Sequence, residues 1–258
     1  MKIEYADLLS GDSILVENAG HFRSPYLYEL KPTQGIGWLK YMLYLNIFAW
    51  DKTQIIKYAE ILQISGLKAF NGKDVLTKFD VITLIPQVRT LLLEALSFFM
   101  VERLEWNEPN RCFISFVEDR PVGIISRDNF ESIFQTILQL NYVGLSKDKT
   151  PLKFSSEEAK KKWELAQEFL KKQAKKPTDK QTNYSLGNII SKLCCVHNSY
   201  NLLNVYNLTV FQLYDQFFQC CYLRTAELNE RVYTIHGGDD FHMDSWLKEI
   251  NSNNEEGE

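Results

Sequence analysis

Near the C-terminus two imidazoles and three carboxylates fall within nine residues, His236-Gly237-Gly238-Asp239-Asp240-Phe241-His242-Met243-Asp244. Imidazole and carboxylate are ligands for zinc or iron, so His236, Asp239, Asp240 and His242 are the set a metal-dependent enzyme would use. The two histidines fit neither HExxH nor another established template. The simpler reading is a Gly-Gly break after a long helix, with an aspartate capping the next helix and acids at its positive end. The five cysteines offer a second chemistry. Four of them are adjacent pairs, Cys194-Cys195 and Cys220-Cys221. Neighbours on a helix point about 100° apart, so both members of a pair cannot easily face one ion as the arms of CxxC do. Reduced, mostly buried thiols packing helices together are the expectation. Cys112 as nucleophile would have His197 as its base, and nothing in the spacing fixes that geometry. Gly35-Ile36-Gly37 is a fragment of a phosphate-binding pattern and reads as a helix start. No catalytic residue, cofactor or metal is assigned.

A basic face lies on the segment holding Lys160, Lys161, Lys162, Lys171, Lys172, Lys175 and Lys176; from Lys147 to Lys180 there are 11 lysines against 6 acids. Glu157, Glu158, Glu164 and Glu168 interleave at helical spacing, which describes a solvated helix laced with salt bridges. The whole chain carries a net charge of -4, so nucleic acid is not the expected partner. From Glu227 to Glu258 there are 9 acids against 2 bases, a charge complement to the basic helix.

The elements that would position these residues are mostly helical. The chain has 258 residues, 45% hydrophobic and 24% charged, enough for a sizeable core, and few Gly (12) or Pro (7) to supply the turns of a sandwich or barrel. Ile14-Leu15-Val16, a turn at Asn18-Ala19-Gly20 and His21-Phe22 predict a hairpin or extended arm. Pro25 and Pro32 bound a short helix or strand over Tyr26–Leu30. Helical spacing predicts 36–49 from Trp38, Tyr41, Met42 and Leu45, then 53–64 behind an Asp51/Gln54 capping box. A long helix over 80–104 should kink at Pro86 or begin near it. Its apolar part, Leu84 to Val101, is interrupted by Gln87, Arg89 and Glu94 and reads as a core helix, not a membrane span.

Between 111 and 125 the periodicity turns β-like, which predicts a hairpin. Asp128 is the expected N-cap of a helix running to about Asn141. A Lys-rich helix over 157–175 follows, then a polar stretch over 175–183 that is the best linker in the chain. Leu186 to His197 reads as a helix, and Thr209 with Gln212 caps a longer one reaching about Tyr233, with Val210, Leu213, Tyr214, Phe217 and Cys221 on one face. A short helix over 241–250 and a polar tail end the chain. The fold class is mainly α, α+β at most: a helical region with a β-hairpin over 1–145, the Lys-rich helix and linker over 146–183, a C-terminal helical region over 184–250 and an acidic tail over 251–258. The acidic N-terminus lacks the basic start of a signal peptide, which implies retention in a cytosol. Large rings exceed what one helical core needs, which favours an interaction protein over an enzyme.

Two stretches carry a family resemblance. Ser13-Ile14-Leu15-Val16 to Gly20-His21-Phe22-Arg23-Ser24-Pro25 resembles the start of accessory proteins encoded in tail modules of phages of Gram-positive bacteria. Leu208-Thr209-Val210-Phe211-Gln212-Leu213-Tyr214-Asp215, with Gly237-Gly238 and Ser245-Trp246-Leu247, is similar to the "LTxxQLxD…GG…W" ending of phage tail-assembly-chaperone-like proteins. That resemblance implies a mostly helical binding protein without catalysis, whose partners are tape-measure, tail-tube or baseplate proteins or further copies of itself. It would act in the host cytoplasm during assembly, with a structural tail component kept in the virion as the alternative. The implied contact surface is Leu208, Phe211, Tyr214, Phe217, Phe218, Tyr222 and Trp246.

Overall fold

The computed structural model describes residues 3–64, 76–143 and 185–236. Among them are eight α-helices, two small antiparallel sheets and two 3₁₀ turns, a mainly α architecture with a minor β part. Helices α1 (Tyr5–Ser10), α2 (Trp38–Ala49), α3 (Lys52–Ile61), α4 (Lys78–Leu84), α5 (Pro86–Phe99), α6 (Phe130–Leu140), α7 (Leu186–Val196) and α8 (Val210–His236) follow one another in chain order. The Lys-rich segment, the linker, the Gly-Gly break and the terminal helix lie outside the described residues.

Helix α5 is the centre of the core. Val88, Leu92, Ala95, Leu96 and Phe99 sit on one face and are fully buried. Pro86 occupies the first helical position, where its missing N–H costs nothing, and it forces Ile85 before it into an extended conformation. The chain therefore bends by 111° between α4 and α5. No single described helix is long and apolar enough to cross a membrane; only the bent α4–α5 pair has the composition together. Around α5 the rings interlock edge to face: Phe48 of α2 meets Phe99 at 5.7 Å and Phe134 of α6 at 4.7 Å, and Phe79 of α4 meets Phe130 at 4.7 Å. Each such side chain contributes roughly 1.5–3 kcal/mol by leaving water. Asp51 and Gln54 form the expected capping box at the start of α3, which ends at Ile61.

Three strands, β3 (Arg103–Asn107), β4 (Cys112–Val117) and β5 (Arg120–Ile125), make one antiparallel sheet in chain order. The hairpin β4–β5 is the one read from sequence. Strand β3 corrects the expected helix to residue 104: α5 stops at Phe99, and Arg103–Asn107 pairs with Phe116–Cys112 instead. Asp128 is also not the cap of α6. Asn129 is, and its side chain reaches back instead, accepting from Ser126 N–H at 2.9 Å and donating to the Ile124 carbonyl at 2.7 Å.

The N-terminal hairpin, β1 (Ile14–Val16) and β2 (Gly20–Phe22), is sewn onto this sheet. Val101 N–H donates to the His21 carbonyl, Ile124 N–H to that of Asn18, and the Ser115 hydroxyl to that of Ala19. Residues 24–27 then run antiparallel to the entry of α8. Leu27 N–H donates to the Leu208 carbonyl and Val210 N–H to that of Pro25, both at 2.9 Å. The Ser24 hydroxyl accepts from Phe211 N–H at 3.2 Å. Buried apolar side chains from Ile3 to Leu213 form one cluster, so the segments on either side of the expected linker share a core.

Candidate interaction site

Helix α8 starts inside the protein and leaves it. Thr209 and Gln212 make the expected reciprocal cap: Thr209 N–H donates to Gln212 Oε1 at 2.9 Å, and Gln212 N–H to Thr209 Oγ1 at 3.2 Å. The first turns are buried through Val210, Phe211, Leu213 and Asp215. From Gln216 onward no described side chain of α8 is buried. Leu223 and Leu228 on this stretch are exposed, apolar surface beyond what the core consumes.

Leu208 and Phe211 lie in the core and are not surface, which corrects the sequence reading of them as partner contacts. Their spacing is that of a buried stripe, and spacing alone does not separate a stripe that meets its own chain from one that meets another. Tyr214 and Phe218 are partly consumed as well. Tyr142, just past α6 and outside the sequence-derived set, lies 5.3 Å from Phe211, 6.0 Å from Tyr214 and 5.5 Å from Phe218, the last two rings nearly parallel to its own. Phe217 packs against Phe218 at 5.5 Å and is partly buried, and Trp246 lies outside the described residues.

Tyr222 lines an open groove of about 510 Å3 between the end of α7 and the middle of α8. Val196 to Ser199 form one wall; Gln216, Gln219, Cys220, Tyr222 and Leu223 form the other. No side chain that lines it is an acid, Lys or Arg. Its floor is tied to the core: Gln219 donates to the Tyr5 hydroxyl at 3.4 Å, and Tyr5 donates to the Asp215 carboxylate at 2.7 Å. Burial raises the Asp215 pKa against the lowering effect of that hydrogen bond. His197 is fixed by accepting the Ser199 N–H at Nδ1 (3.1 Å) and by resting on Tyr200. The groove walls can take apolar and neutral polar groups, with amide side chains able to exchange hydrogen bonds with a peptide backbone.

Burial pushes the thiols of Cys112, Cys194 and Cys220 upward in pKa, away from the thiolate that nucleophilic attack needs. All five cysteines are unbridged, but the expectation of mostly buried thiols fails: Cys112 alone is buried, Cys194 and Cys220 are half-buried, and Cys195 and Cys221 are exposed. Cys112 is paired across the sheet with Asn107, while His197 belongs to the groove. Among the described residues no three His, Cys, Asp or Glu side chains are grouped to hold a metal ion; Asp239, Asp240 and His242, with the His236 side chain, lie outside them. Gly37 takes a positive φ of 78° as the N-cap of α2, and a side chain at Gly35 would strike the Glu29 carbonyl, so the glycine pair serves the turn.

Residues 174–251 match the model of a family described as the YomV second domain, a phage-derived family. The matched stretch holds α7, α8 and the groove, and it begins beside the polar run 175–183. No curated protein and no solved structure matches the chain.

Proposed function

We propose that this chain is a phage morphogenesis factor that works by binding: a tail-assembly chaperone whose C-terminal helices hold an apolar segment of a tape-measure or tail-tube protein until the tail assembles. The observation that carries the reading is the course of α8, whose fully buried stretch ends at Asp215 and which then keeps large apolar side chains beside a groove lined by no acid, Lys or Arg. The match of residues 174–251 to a phage-derived domain supports the phage context, because it covers the same two helices. Binding would shield aggregation-prone apolar surface of the client, and a groove without acid, Lys or Arg would favour a segment without acidic or basic side chains. No chemical step is part of this function.

The test is affinity capture of the tagged chain from phage-producing cells, with mass spectrometry of what co-purifies and of finished particles. The expected result is capture of a tape-measure or tube protein, absence from particles, and loss of capture on Tyr222→Ala. Presence in particles at fixed stoichiometry would make the chain a resident tail or baseplate component instead.

A further inference from the structure

The turn between α7 and α8 shows two leucines to solvent from a fixed frame. Leu202 is 64% and Leu203 92% exposed. Their loop is held by its own asparagines. Asn201 Oδ1 accepts from Leu203 N–H at 2.8 Å, Asn204 Oδ1 accepts from Asn201 N–H at 2.8 Å, and Asn204 Nδ2 donates to the Ser199 carbonyl at 2.9 Å. A loop ordered in this way spends little entropy when it docks, and an exposed leucine pair on it is an anchor in search of a pocket. The groove just described adjoins this loop, one of its walls running directly into it at Ser199. The leucines do not fill it in their own chain, since both face solvent.

We infer that two copies of this chain pair about a two-fold axis, each seating Leu202 and Leu203 in the groove of the other. A two-fold interface must be self-complementary, so it needs a projection and a recess side by side on one patch, and this loop and groove have that arrangement. Charge agrees with the fit. The loop 198–204 reads Asn-Ser-Tyr-Asn-Leu-Leu-Asn, without Asp, Glu, Lys, Arg or His, and the groove has no acid, Lys or Arg in its lining, His197 being its one imidazole. Size agrees too: two leucine side chains, at roughly 100 Å3 each by close packing, fit within 510 Å3 with room for backbone. Val196, Tyr222 and Leu223 supply apolar contact, and Gln216 and Gln219 are placed to meet the loop's amide groups. The pairing stands on this geometry alone and holds whatever client the chain has. It also gives the groove a cover that a client must displace.

Sedimentation equilibrium of the full chain between about 1 and 100 μM tests this, since that span brackets the affinity of a small reciprocal interface. A monomer–dimer equilibrium is expected. Leu203→Asp on the loop and Leu223→Asp on the groove wall should each weaken it at least about tenfold, with the circular dichroism spectrum unchanged because both positions face solvent. Leu203→Ser, which keeps the loop neutral, should act in the same direction. Mixing the two aspartate variants should restore association above that of either alone, because the mixed pair keeps one intact loop in one intact groove. A wild-type chain that stays monomeric throughout, a dimer that survives Leu203→Asp, or a mixture no better than its parts would overturn the inference. Client capture is a separate readout: Leu203→Asp leaves the groove open, so it should still capture client, and a monomeric wild type that captures client refutes the pairing while leaving the chaperone reading intact.

Discussion

Asp215 is a carboxyl group set into an apolar wall, 1% exposed, with the Tyr5 hydroxyl at 2.7 Å as its main partner. Burial lifts its pKa in the folded chain above the ordinary aspartate value, so the folded state keeps this proton to higher pH than the unfolded state does. Where the folded state binds more protons, stability falls as pH rises. This residue therefore contributes most below the unfolded pKa of about 3.9, and that contribution is lost as pH climbs through the raised folded value. Asp215→Asn keeps an acceptor for Tyr5 and has no such slope. Urea unfolding at a series of pH values should show the variant gaining on the wild type toward neutrality; a variant less stable at pH 7 would show that the ionised carboxylate is itself favourable. Tyr5→Phe should do the reverse, costing about 1–3 kcal/mol at neutral pH by leaving a buried carboxylate short of its donor. Gly20 makes a different kind of demand. Its φ is +132°, and a Cβ there would lie 2.8 Å from Glu102 Oε2. That carboxylate, with its side chain 4% exposed, accepts from His21 N–H and lies 2.6 Å from His21 Nδ1. Gly20→Ala should cost roughly 1–3 kcal/mol in backbone strain, with the displaced carboxylate adding to it, and thermal melts would register the loss.

At the scale of elements, the ends of helices do much of the positioning. Lys78, the first residue of α4, donates to the Phe48 carbonyl at the last turn of α2 (2.6 Å) and lies 4.5 Å from the Phe134 ring centre. A cation there complements the negative end of α2, but burial lowers its pKa from 10.5 to about 8. Between those two values the unfolded chain holds the extra proton, so this group makes stability rise with pH across that interval. The difference in unfolding free energy between wild type and Lys78→Met should climb from pH 8 toward 10.5, and a flat difference would remove burial as the dominant influence on this amine. The same local chemistry explains what was legible in sequence. The caps Asp51/Gln54 and Thr209/Gln212 and the break at Pro86 involve residues within four positions of each other, so their spacing carries the information. Strand β3 was not legible. Leu92, Leu96 and Phe99 set a helical period with no local stop signal after it, while the reversal at Met100 depends on a bridge to Phe22 and the strand on pairing with Phe113 and Phe116. Such contacts leave no mark in the local pattern. Asp128 and Asn129 are both good caps by type, and only the contact of Asn129 with the Ile124 carbonyl separates them.

The whole molecule is where the candidate site escaped the sequence. Aromatic spacing along 208–222 marks an apolar helix face but does not say where that face passes from core to surface. Tyr142, which takes up part of that face, lies more than sixty residues away. The groove is assembled from 196–199 and 216–223, and the leucine pair sits in an asparagine-rich turn that offers no periodicity; an apolar doublet between paired asparagines is the signal that could have singled it out. The fold also bears on how α7 and α8 hold together. A family model treats residues 174–251 as a domain, yet here the start of α8 takes its backbone partners from Ser24, Pro25 and Leu27, and Phe211 is fully buried against Tyr142. If the core is one unit, damage at Phe211 must spread to elements far from it in the chain. Phe211→Ala should cost about 3–5 kcal/mol, as for other large aromatic truncations in a packed interior. Hydrogen exchange should then speed up not only at Leu213 but also at the Arg23 and Val101 amides, which bond to Phe99 and His21 and lie far from Phe211 in the chain. Protection lost at Leu213 but kept at Arg23 and Val101 would mean that the C-terminal helices open as a separate unit. The chain would then offer its groove on a domain able to detach, and a client could be taken up by opening the molecule at the Tyr26–Thr209 bridge instead of by filling a preformed groove.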